Sequence, residues 1–99
     1  MPVLRKSLGE VLRAHRIGRA MTLRDVSARA RVSLGYISEV ERGQKEPSSE
    51  LLSSLTDALG VPLSQIMRDV SDLLEIEEAA VVPVLSVGDA SGEAQAYAA

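Results

Sequence analysis

Apolar residues recur at helical spacing in five blocks, separated by short polar or glycine-bearing turns. The first block is Leu4, Leu8, Val11 and Leu12, with His15 continuing the same face at the edge of a core and Gly18 as the expected stop. The second is Leu23, Val26 and Ala30, preceded by Thr22-Leu23-Arg24-Asp25, a capping box with aspartate in place of the usual glutamate. Ser33 caps a third block that turns Ile37, Val40 and Glu41 inward and stops at Gly43. Ser48 caps a fourth, which carries Leu51, Leu52, Leu55, Ala58 and Leu59 to Gly60. Pro62 opens the fifth, with Leu63, Ile66, Met67, Val70, Leu73 and Leu74 on one stripe. After a short apolar run broken by Pro83, residues 86–99 are rich in Gly, Ala and Ser and have little to bury. The pattern predicts an all-α, five-helix fold: a domain over residues 1–61, an extended helix over 62–80 and a flexible tail over 81–99.

The third block raises a question of chemistry. Its exposed front is Ser33, Leu34, Gly35 and Tyr36, and a basic loop follows at once. Two short helices joined by the turn Ala30-Arg31-Val32 form a helix-turn-helix candidate. Its second helix has to enter a major groove about 12 Å wide, which asks for small or polar leading side chains. Ser33, Gly35 and Ser38 meet that demand. A helical glycine costs about 1 kcal/mol relative to alanine. Close approach to a base edge or phosphate gives Gly35 a reason, and clearance for a neighbouring helix gives it another.

Charge sharpens this reading. The net charge is −3, yet residues 1–45 hold ten Lys/Arg against four Asp/Glu, and the remainder holds one against ten. A basic half within an acidic chain is a local field suited to a polyanion. With no cysteine and one histidine, neither a disulfide scaffold nor a zinc site is expected. No cofactor is implied. No serine is paired with a base, so an enzyme is not expected. The absence of a membrane-length apolar run and of a signal peptide predicts a cytoplasmic protein without membrane contact.

The stretch from about Leu8 to Met67 resembles the Cro/repressor-type (XRE) helix-turn-helix family. The residues that carry the likeness are "LGEVLR", "YISEVERG" and "EPSSELLSSLTDALGVPLSQI". "RVSLGYISEVERGQKEPSSELL" is closer still to the actinobacterial regulators of Clp-protease genes, which are transcriptional activators. The resemblance implies that Thr22 and Leu23 open the helix crossing the DNA backbone. It implies that Ser33, Leu34, Gly35, Ser38 and Glu39 face the groove, and that Arg42, Gln44 and Lys45 hold phosphates. Arg16 and Glu41 match a buried ion pair between the first and third helices. Two residues depart from the family pattern. Leu23 stands where glutamine is usual, which removes a phosphate brace, and Arg31 stands where the turn favours glycine. A positive φ at Arg31 would store about 1 kcal/mol. Glu39 reads either as an acceptor for a cytosine amino group or as the partner of a nearby arginine.

The expected partner is double-stranded DNA, clamped also by the N-termini of the second and fourth helices, the latter at Ser48. The six-residue stripe of the fifth helix predicts a homodimer on a palindromic operator, with folding back onto its own domain or a docking face for another protein as the alternatives. RNA polymerase and a Clp protease are the further expected partners. The terminal Tyr97, Ala98 and Ala99 resemble the small apolar tags that Clp-type proteases grasp, a candidate degron. A phage-type repressor and an antitoxin with a toxin-binding C-terminal half are the rival readings.

Overall fold

The computed structural model describes residues 3–81 and is built from five helices: α1 (Leu4–Gly18), α2 (Leu23–Ala30), α3 (Leu34–Glu41), α4 (Ser49–Leu59) and α5 (Leu63–Val81). No strand occurs among the described residues. The degron candidates Tyr97, Ala98 and Ala99, with nearly all of the expected tail, lie outside them.

Side-chain oxygens set three of the helix starts. Thr22 Oγ1 accepts from the Asp25 amide at 3.0 Å while the Thr22 amide donates to Asp25 Oδ2 at 2.8 Å, so the aspartate completes the box. Those bonds to Thr22 hold the Asp25 carboxyl below its ordinary range. Ser33 and Ser48 accept from the Tyr36 and Leu51 amides, each at 3.1 Å. Gly60 ends α4 in the left-handed conformation, φ 73°. Gly18 does not play this part for α1. The helix does end at Gly18, as expected, but the left-handed position falls two residues later, on Ala20 at φ 55°.

The helices close on a core of Leu8, Val11 and Leu12 from α1, Val26 from α2, Ile37 and Val40 from α3, and Leu55 and Leu59 from α4. α1 packs against α3 and α5, and α2 against α3 and α4. Leu4, predicted to begin the buried stripe, is 54% exposed because it sits on the first turn, beyond the reach of that core.

α5 departs most from expectation. It returns antiparallel along α1, with Ser7 Oγ donating to Glu77 Oε1 at 3.0 Å near one end and His15 Nε2 bonded to Asp69 Oδ2 at 2.6 Å further along. Arg19 Nη1 approaches His15 Nδ1 at 3.0 Å. An arginine can only donate, so the neutral ring carries its proton on Nε2, toward Asp69. The His15 bond, joined by Gln65, holds the Asp69 carboxyl below its ordinary range. Ile66 and Val70 are consequently sealed inside the protomer, at 0% and 3% exposure, and Leu73 and Leu74 lean on the core. This corrects the assignment of the whole stripe to self-association. Ile66 and Val70 have no surface to offer, because α1 supplies the apolar partner that a second copy was expected to provide.

At Gly9 the backbone of α1 lies directly against the end of α3. A Cβ there would run into the Val40 carbonyl oxygen and lie 2.7 Å from that of Glu41. Both obstacles are backbone and cannot rotate away. Gly9→Ala is therefore expected to destabilise the protein by about 3 kcal/mol, at the upper end of overpacking effects. For a domain of this size that lowers the Tm by more than about 10 °C. Thermal denaturation followed by circular dichroism checks it.

Candidate nucleic-acid interface

α3 divides its residues between two faces. Ile37 and Val40 are 2% and 1% exposed and point into the core, with Tyr36 half-buried beside them. The opposite face carries Leu34, Gly35, Ser38, Glu39 and Arg42, and Gln44 and Lys45 follow in the exposed loop. Tyr36, read from the sequence as part of the exposed front, is half-buried against the core instead, next to Val40 at i+4 on the helix surface.

The side chains of this face satisfy one another. The Arg42 guanidinium donates to Ser38 Oγ and, at 3.2 Å, to Gln44 Oε1. Lys45 Nζ lies 3.8 Å from Glu39 Oε1, so the partner of Glu39 is a lysine rather than an arginine. Exposed pairs of this kind contribute about 0–1 kcal/mol. They hold the groups in place yet exchange easily for phosphate oxygens.

The turn that presents α3 is fastened by Ser27. Its carbonyl accepts from the Arg31 amide at 2.9 Å, and its hydroxyl donates to the Val32 carbonyl at 2.6 Å. Arg31 itself adopts φ 59°, ψ 44°, the left-handed conformation that glycine would take without strain. Its side chain is exposed on the turn. The apolar spacing of the second helix does not single out Ser27. Its spacing of five from Val32, across the end of a helix, is a signal that could have found it.

Behind the face stands an ion pair. Arg16 Nε and Nη2 donate to Glu41 Oε2 and Oε1 at 2.7 and 3.0 Å, and Nη1 donates to the Met21 carbonyl at 2.9 Å. The side chains are 12% and 7% exposed. The carboxylate bond raises the Arg16 pKa further above its ordinary value.

At the start of α2, the capping box uses the Thr22 and Asp25 amides and leaves those of Leu23 and Arg24 without an intrahelical acceptor. Leu23 offers its amide outward while its side chain packs on the core. That is why glutamine can be absent from this position without leaving a hole. Ser48 produces the same arrangement at α4, where the Ser49 and Glu50 amides are free of the helix ladder. Among the described residues no cluster of His, Cys, Asp and Glu could hold a metal, and no helix is long and apolar enough to cross a membrane.

Gly35 separates the two explanations offered for it. A Cβ built there meets no heavy atom within 4 Å. Helix clearance is thus excluded within the protomer, in contrast to Gly9, which clearance does explain. The helix carries a destabilising residue exactly where its backbone is open to an outside molecule. A free polar face on the second helix of a fastened helix-turn-helix, flanked by two helix N-termini, defines a DNA-binding domain.

Comparison with known proteins agrees. A helix-turn-helix domain model matches residues 7–69. The transcriptional regulator ClgR of Mycobacterium tuberculosis is 51% identical over 76 residues, 77% of this chain and 68% of the relative. A helix-turn-helix regulator of Deinococcus deserti, DdrOP3, is 36% identical over 63 residues, 64% of this chain and 49% of that one. A crystal structure of the clp gene regulator ClgR from Corynebacterium glutamicum superposes with a TM-score of 0.74 at 39% identity, covering 89% of this chain and 96% of that one. A restriction-modification controller protein, at 19% identity and a TM-score of 0.69, shares the fold. The chain belongs to the XRE-like helix-turn-helix family of DNA-binding transcriptional regulators, in its ClgR-like branch. It is not an enzyme.

Gly35→Leu is expected to raise stability by about 0.5–1 kcal/mol, since open space receives the side chain and leucine is the better helix former. DNA affinity should fall more than about ten-fold as bulk meets the groove. Denaturant titration and fluorescence anisotropy on the same samples read the two opposed effects.

Proposed function

We propose that this regulator activates Clp-protease and stress genes from a palindromic operator, which it binds as a homodimer in the cytoplasm. The observation that carries the DNA-docking part is the free face of α3 around Gly35. In this reading Ser33, Leu34, Gly35, Ser38 and Glu39 enter the major groove. Arg42, Gln44 and Lys45 grip phosphates, together with the amides opening α2 at Thr22 and Leu23 and α4 at Ser48. The likeness to ClgR, a clp gene regulator in Corynebacterium glutamicum, supports the target genes. Activation implies a contact with RNA polymerase.

Dimerisation falls to what α5 leaves uncovered. Leu63 and Met67, at i and i+4, are 43% and 42% exposed, and Leu74 at i+11, half-buried against the core, continues their line. Two-fold pairing along that line would give the two recognition helices the symmetry of a palindrome. Met67→Asp is expected to yield a monomer by light scattering with the helical content intact, because Met67 is outside the core. A persistent dimer places the interface elsewhere.

The test of the regulatory role is genome-wide mapping of bound DNA, with transcript measurement after removal of the regulator. Bound sites should lie upstream of Clp-protease genes, and their transcripts should fall. Binding elsewhere, or a rise in those transcripts, overturns the proposed role.

A further inference from the structure

Leu34 is the unexplained member of the reading face. It is 38% exposed, does not pack on the core, and shares a helix row with Ser38 and Arg42 at i+4 and i+8. It borders an open, mainly apolar groove formed with Ile17, Met21 and Leu23, and Ile17 is itself 50% exposed. Thr22 and Arg24 stand on the rim of the groove, and Gly35 next in the chain has nothing within 4 Å of its Cβ position. An apolar side chain at the front of a groove-reading helix gains free energy only against apolar atoms. Beside a base amino or carbonyl group it would strip water and return no hydrogen bond. The major-groove edges of the four bases offer one such apolar group, the 5-methyl of thymine.

We propose that Leu34 is a specificity-determining residue that reads a thymine 5-methyl group in each half-site. The groove behind it receives the methyl edge, and Gly35 lets the backbone come near enough for contact. This rests on the docking of α3 in the major groove proposed above.

The test uses the full chain and duplexes recovered by selection from a randomised pool. Each thymine of the recovered site is replaced in turn by deoxyuridine, which removes the methyl and nothing else. Burial of one methyl corresponds to about a four-fold change in affinity per half-site. Wild-type protein should lose about that much at one thymine per half-site. Leu34→Ala should bind thymine and deoxyuridine duplexes equally there, while Leu34→Met, which keeps an apolar reach, should retain the discrimination. Recovered sites with no deoxyuridine-sensitive position, or a sensitivity that persists in Leu34→Ala, overturn the inference while leaving the DNA-docking reading intact. A pool that yields no enriched sequence overturns both.

Discussion

The geometry of the reading face depends on how α1 grips α3, and the centre of that grip is the pair between Arg16 and Glu41. The guanidinium meets both carboxylate oxygens, at 2.7 and 3.0 Å, and its remaining nitrogen reaches the Met21 carbonyl. Taking two charges out of water is expensive, so a pair as enclosed as this adds little net stability. Its two parallel bonds are directional, however, and they fix the roll of α3 about its axis. Gly9 acts beside it. Without a side chain at that point the backbones come into contact, and α3 has no freedom to slide. Loss of either partner of the pair leaves a buried charge unmatched, which typically destabilises by about 3–5 kcal/mol.

From that anchor the polar face follows. α3 is short, eight residues, and its outer side chains would be loosely placed on their own. Arg42 between Ser38 and Gln44, and Lys45 beside Glu39, hold one another in an order compatible with a polyanion while staying exposed. The basic groups belong to the first half of the chain and the acidic excess to the second. α5 runs antiparallel along α1 and carries Asp69, Asp72, Glu75, Glu77 and Glu78, half of the acidic residues of the second half, on a different element from the reading face. A whole-chain charge of −3 is thereby compatible with a DNA partner, because what a phosphate senses lies within about 10 Å at ordinary salt.

Helix number, helix starts and fold class were legible in the sequence because they are set by local chemistry. Ser, Thr and Asp satisfy amides three residues away, and apolar spacing marks the buried face, wherever the helix ends up. The αL turn at Arg31 and the Arg16–Glu41 pair were legible too, though only through likeness to a family, since neither follows from spacing. Tertiary structure decided the rest. An apolar stripe states that a face will be covered and does not state by what. α5 buries Ile66 and Val70 against its own chain because α1 lies within reach, and this withdrew both from the surface expected to pair with a second copy. Tyr36 turned inward for the same reason. Gly9 and Gly35, both inside helices and alike in sequence, differ in their surroundings: Gly9 presses on the carbonyls of α3, and Gly35 faces open space. A missing side chain becomes clearance or an invitation to a partner according to what stands opposite, and only the assembled helices place anything there.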